Sequence, residues 1–85
     1  MRSFVYTVKE ENGLHARPAG LLVRLVQTLG DEVRIRRGET SVGATRLLAL
    51  MGLGIRRGDE ITVEIEGAHE VESEAALLEF LRKNL

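Results

Sequence analysis

The chain's one proline, Pro18, follows closely on the pair Asn12-Gly13, and the two signals together force a change of secondary structure at this point. Asn and Gly both tolerate positive φ, so the pair marks a turn. Proline lacks an N–H and fits a helix only in its first turn, where that donor would have no intrahelical partner. A strand-like run precedes the pair and a helix-like run follows Pro18. The helix therefore starts at or near Ala16. The stretch Asn12-Gly13-Leu14-His15-Ala16-Arg17-Pro18-Ala19-Gly20 is a strand-to-turn-to-helix junction that the rest of the chain must accommodate.

Periodicity supplies the other elements. From Ser3 to Val8, Phe4, Tyr6 and Val8 share one face and Val5 and Thr7 the other, the alternation of a half-buried strand. From Ala16 to about Leu29, Pro18, Leu22, Leu25, Val26 and Leu29 recur at helical spacing and form a core stripe. Arg17, Gly20, Leu21, Arg24 and Gln27 fall on the opposite face, and Gly30 stops the helix. Val33 to Arg37 alternates again, Gly38-Glu39 reads as a tight hairpin turn, and Ser41-Val42 as a short strand. Thr45 to Met51 is long enough for a short helix, ended by Gly52 and Gly54. Ile61, Val63 and Ile65 alternate with Thr62, Glu64 and Glu66 as a further strand. A last helix spans Glu70 to Lys83, with Val71, Ala75, Leu78 and Leu81 toward the core and Glu70, Glu72 and Glu74 at the end that favours acids. The order β-α-β-β-α-β-α predicts an α+β layer fold, one antiparallel sheet covered on one face by three helices.

The chain length, 85 residues, suits one small domain over residues 1–85. Such a domain buries about 60–65% of its unfolded surface, so its core must be efficient. Cysteine is absent, which removes disulfides and thiolate metal sites and is compatible with a reducing, cytoplasmic setting. No apolar run approaches the roughly 20 residues that span a bilayer, and the N-terminus does not read as a signal peptide. A net charge of −1 with few aromatics argues against nucleic-acid binding. Gly52-Leu53-Gly54-Ile55-Arg56-Arg57-Gly58 lacks the spacing of a dinucleotide-binding loop and precedes a strand. His69 has no metal-ligating neighbour at suitable spacing and reads as a solvated turn residue. Arg34, Arg36 and Arg37 read as the solvated face of a strand.

Chemistry concentrates at the first helix. Free N–H groups at a helix N-terminus favour anions, phosphate above all. A neutral imidazole placed there offers a nitrogen lone pair as nucleophile. The planar fork of Arg17 can chelate phosphoryl oxygens. His15 thus reads as a phosphoryl acceptor, with Ala16, Arg17 and Pro18 as the cradle. A lone histidine at a turn is more often a solvated or capping residue, so position alone does not carry this reading.

The run Gly13-Leu14-His15-Ala16-Arg17-Pro18-Ala19 resembles the active-site signature of the HPr family, the histidine phosphocarriers of the bacterial sugar phosphotransferase system. The resemblance extends over nearly the whole chain: its length, the first strand, the Ser41-Val42 strand, Leu47 to Gly54 and the Glu-rich last helix. It implies an open-faced β-sandwich with a four-stranded antiparallel sheet. It implies phosphorylation of His15 on the Nδ1 side, with Arg17 neutralising the phosphoryl oxygens. The implied partners are enzyme I as donor, charged by phosphoenolpyruvate, and an enzyme IIA component as acceptor. The chain would serve as a carrier without a cofactor and not as a free-standing enzyme, and nothing demands more than a monomer. A relay in nitrogen regulation would use the same stretch. A different class of reading is a small docking module in which His15 is incidental.

In the family, the short helix and the exposed face of the first helix form the docking surface. Here that surface would comprise Gly20, Leu21, Leu47, Leu48 and Met51, rimmed by Arg17, Arg24 and Arg46, while Leu50 belongs to the core. Position 46 departs from the pattern. Many members carry a serine there, the target of a regulatory kinase, and Arg46 offers no hydroxyl. Regulation of that type is not expected, and Thr45 and Ser41 are not expected to replace it.

Overall fold

The computed structural model describes residues 1–85. The elements follow the predicted order: β1 (Arg2–Thr7), α1 (Ala16–Leu29), β2 (Glu32–Arg37), β3 (Thr40–Gly43), α2 (Leu47–Gly52), β4 (Glu60–Glu66) and α3 (Glu70–Asn84). The four strands form one sheet in the order β1-β4-β2-β3, and every neighbouring pair is antiparallel. β1 and β2 therefore run parallel to each other with β4 inserted between them. Only a helix can bridge that gap, and α1 does so.

Strand alternation decides which face is covered. Val33 and Ile35 of β2 and Ile61, Val63 and Ile65 of β4 are buried against the helices. Phe4 and Tyr6 of β1 join them partly, and the Tyr6 hydroxyl donates to the Leu81 carbonyl of α3 at 3.1 Å. The opposite face stays open and is polar. Its arginines are tied down within it: Arg36 pairs with Glu64 at 2.6 Å, and Arg34 donates to the Ser41 hydroxyl at 3.0 Å. Arg37 pairs with Asp59 at 3.0 Å and also donates to the Leu53 carbonyl. These residues are more than a solvated face; they link β2 to β3, β4 and the loop before β4.

α1 buries Pro18, Ala19, Leu22 and Val26, with Leu25 and Leu29 half-buried. The expected stripe holds, widened by Ala19. α2 starts later than expected, at Leu47 instead of Thr45. The Arg46 N–H donates to the Gly43 carbonyl at 3.1 Å, a tight turn that keeps residues 44–46 out of the helix. Gly52 is the last helical residue and does not break the helix before it.

The core face of α3 differs from the periodic reading. Ser73, Leu77 and Leu81 are buried, Val71 is 62% exposed, and Ala75 is exposed as well. The cause is polar. The Ser73 hydroxyl donates to Asp31 Oδ2 at 2.8 Å, and the His69 N–H donates to Asp31 Oδ1 at 3.2 Å. Asp31 is itself buried in the turn between α1 and β2. A buried carboxylate must be hydrogen-bonded. Meeting that demand rotates α3 until Ser73, and not Val71, points inward. Asp31 also sits at the N-terminal end of α3, where negative charge is favoured.

Candidate functional site

The site is assembled from three separate pieces of backbone. After β1 the chain is held from below: Val8 N–H donates to Asp59 O at 2.9 Å and Gly58 N–H to Val8 O at 2.8 Å. Lys9 and Glu10 both donate their N–H groups to the Leu85 carbonyl, so the end of α3 is fastened to the same segment. Gly13 then turns back with φ of +62° and its N–H bonded to Glu10 O at 2.9 Å. It lies directly on the Ile55–Arg56 backbone, where a Cβ would stand 2.8 Å from Arg56 Cα. Only glycine meets both conditions. The next residue, Leu14, is buried and donates its N–H to Ile55 O at 3.2 Å.

The platform under this turn is itself anchored. Asp59 Oδ2 accepts the Arg56 N–H at 2.9 Å and Arg37 Nε at 3.0 Å. The Arg56 N–H chiefly holds the Asp59 carboxyl below its ordinary value; desolvation opposes it, and the Arg37 guanidinium adds to the lowering.

His15 follows as the residue before α1, in extended conformation with φ −85° and ψ −177°. Its carbonyl accepts the Ala19 N–H at 3.0 Å, the first hydrogen bond of the helix. Its side chain makes no capping hydrogen bond and is half-buried. The N–H groups of Ala16 and Arg17 have no backbone partner. Pro18 contributes no donor, so its part in the expected cradle is that of a buried wall. α1 carries no acid in its first turn, whereas α3 has Glu70 and Glu72 there. The positive end of α1 is left uncompensated beside the imidazole, and an arriving anion would meet no competing carboxylate on the helix itself.

A cavity of about 330 Å³ opens at this helix end, lined by His15 and by Arg17, Pro18 and Leu21 of α1. Its remaining walls come from the turn, through Glu10 and Asn12, and from the last turn of α3, through Lys83 and Asn84. Sequence reasoning found the α1 wall and missed the α3 wall. No local signal marks Lys83 or Asn84; only the docking of α3 beside α1 brings them in. No group of three or more His, Asp and Glu side chains converges as metal ligands.

Beside the cavity lies an apolar patch. Leu21, Leu47 and Met51 are 42%, 40% and 39% exposed, and Leu48 is 83% exposed, while Leu50 between them is fully buried. α2 packs against α1, so the exposed residues of the two helices lie on neighbouring elements. Arg17, Arg24 and Arg46 are exposed, and Gly20 is half-buried on α1. None of the three arginines takes part in an ion pair, in contrast to Arg2, Arg36 and Arg37. Cations left free around exposed leucines form a surface suited to an acidic, partly apolar partner.

His69, the other histidine, lies far from this arrangement. Its side chain is 67% exposed and its Nδ1 stands 3.9 Å from Asp31 Oδ1.

Comparison with known proteins agrees with the geometry. The family model described as "PTS HPr component phosphorylation site" matches residues 2–83. The phosphocarrier protein HPr of Mycoplasma genitalium is 35% identical over 85 residues, covering 99% of this chain and 97% of that protein. The crystal structure of HPr-C-His from Thermoanaerobacter tengcongensis superposes with a TM-score of 0.93 at 27% identity, covering 99% of this chain and 94% of that one. A crystal structure of an HPr dimer from the same organism gives 0.76 at 28% identity, covering 98% and 95%. Fold, unpartnered helix end and sequence converge: the chain belongs to the HPr family of the phosphotransferase system, whose members are phosphocarriers and not free-standing enzymes.

Proposed function

We propose that this chain carries phosphoryl groups on His15 within a phosphoenolpyruvate-driven sugar phosphotransferase relay. Phospho-enzyme I supplies the group and an enzyme IIA component receives it. The observation that carries the reading is the unbonded His15 side chain beside two N–H groups without partners and the free Arg17. An imidazole nitrogen of His15, the Nδ1 side by family likeness, attacks the phosphorus with its lone pair. The N–P bond on the donor histidine breaks and its electron pair returns to the donor ring. One N–P bond replaces another, so neither oxidant nor water is consumed. In flight the negative charge spreads over the equatorial phosphoryl oxygens, where positioning and charge stabilisation do most of the catalysis. The Ala16 and Arg17 N–H groups and the Arg17 guanidinium supply both.

Gly20, Leu21, Arg24, Arg46, Leu47, Leu48 and Met51 form the docking surface in this reading, and both partners use it in turn. In this reading the chain acts in the cytoplasm and as a monomer. Arg46 leaves no serine for a regulatory kinase, and the charge it carries is permanent.

The test is incubation with phosphoenolpyruvate and the enzyme I encoded in the same genome, read by intact mass. One acid-labile, base-stable phosphoryl group is expected, and it disappears in His15→Ala. Absence of transfer from that donor refutes the relay reading and favours a docking module built on Leu47 and Met51.

A further inference from the structure

The last turn of α3 forms one wall of the cavity, and Lys83 is its cation. Lys83 Nζ stands 3.2 Å from Glu79 Oε1, one helical turn back, and the two side chains are 71% and 69% exposed. An ion pair so open to water is weak and exchanges readily. The helix end itself is firm: Asn84 Nδ2 donates to Phe80 O at 3.0 Å, and Leu85 O holds the Lys9 and Glu10 N–H groups. Lys83 is thus a loosely engaged cation on a fixed support, sharing one cavity with His15.

A phosphoryl group on His15 would change the electrostatics of that cavity. It brings a dianionic group with three strong acceptor oxygens. The charged side chains lining the cavity are Arg17 from α1, Lys83 from α3 and Glu10 from the turn, with Glu79 paired to Lys83 on its own helix. Arg17 and the free N–H groups of α1 approach from one side only. A dianion has oxygens on the other side as well, and it attracts an ammonium more strongly than one solvated carboxylate does.

We propose that Lys83 is a second phosphoryl-contacting residue: when His15 is phosphorylated, its ammonium leaves Glu79 and bonds a phosphoryl oxygen from the α3 side. This rests on His15 being the phosphorylated residue. The group is then held between two helices, and Lys83 returns to Glu79 when the group departs.

The experiment loads the protein chemically with phosphoramidate, which needs no protein donor, in a His69→Gln background that leaves a single histidine. The ³¹P resonance of the phosphohistidine is followed against pH in this parent, with Lys83→Ala and with Lys83→Arg. Near neutral pH the ³¹P shift follows protonation of the phosphorylated imidazole ring, which a neighbouring cation disfavours, so Lys83→Ala is expected to raise the midpoint by about 0.3–0.7 pH unit, the size of one exposed charge contact. Lys83→Arg is expected to restore it. Coincident curves for the parent and Lys83→Ala overturn the contact, as does a shift that Arg fails to restore. Failure of phosphoramidate to modify His15 overturns it together with the carrier reading. Failure of enzyme I alone, with the shift intact, overturns only the relay and supports the contact.

Discussion

Replacement of Gly13 by Ala tests the claim that the His15 turn is moulded onto the Ile55–Arg56 backbone. The new Cβ meets backbone, which cannot rotate aside as a side chain can: 2.8 Å from Arg56 Cα and closer still to the Ile55 carbonyl oxygen. The φ of +62° adds a penalty of about 1–2 kcal/mol for an L-residue, offset by about 0.4–1 kcal/mol from stiffening of the unfolded chain. Pushing the two segments apart breaks the Leu14 N–H to Ile55 O bond and orphans a buried donor, costing about 1–3 kcal/mol. It also strains the Arg56 N–H to Asp59 bond, worth about 1 kcal/mol. The net loss is about 3–4 kcal/mol, a large share of the stability of an average domain. Gly30→Ala is the internal control, because Gly30 also has positive φ, +78°, but nothing lies within 4 Å of its Cβ position. That variant should lose about 1 kcal/mol. With a urea dependence of about 1–2 kcal/mol per molar, the Gly13→Ala midpoint should fall about 1–3 M further than that of Gly30→Ala. Midpoints within about 0.5 M of each other would mean that the contact is soft and the reasoning wrong.

Three further outcomes follow from particular contacts. Ser73→Ala should cost about 1.5–3 kcal/mol in thermal melts, since Asp31 keeps its burial and loses a donor, whereas Val71→Ala should stay within about 0.5 kcal/mol; the reverse ranking would restore the periodic reading of α3. Asp59 and Glu70 both titrate below their ordinary values, Glu70 chiefly through the Gly67 N–H. A depressed carboxylate stabilises the fold above its unfolded value and ceases to as pH falls through its folded value, so the stabilisation is lost below the ordinary values of 3.8 and 4.5. The fall in melting temperature below those values should therefore be shallower in Asp59→Asn than in the parent, and parallel profiles would contradict the assignment. Arg46→Glu should slow association with enzyme I by about tenfold at low salt, with the gap closing as salt rises, because the effect is one of long-range attraction; a salt-independent loss would instead indicate a misfolded α2.

The chain order of elements, the starting point of α1 and the pairing of His15 with Arg17 were legible because each is written in neighbouring residues. Asn12-Gly13 and Pro18 act through φ and a missing donor, and alternation in β2 and β4 acts through a period of two. These are local rules that need no knowledge of the partner strand. The rotation of α3 was not legible. Ser73 is buried only because Asp31, 42 residues away, requires its hydroxyl, and an apolar repeat is blind to that demand. The start of α2 was likewise missed by two residues, because the Arg46 to Gly43 bond belongs to the preceding turn.

The candidate site divides along the same line. By itself the sequence determined that an imidazole and a guanidinium would stand at a helix start, because Pro18 and Gly13 fix the backbone there. Only the tertiary structure decided what faces them. Docking α3 beside α1 brings Lys83 and Asn84 into the cavity wall, and packing α2 on α1 sets the exposed leucines of the two helices on neighbouring elements. Those juxtapositions arise from burying the shared core of sheet and helices, a long-range condition that no stretch of neighbouring residues can express.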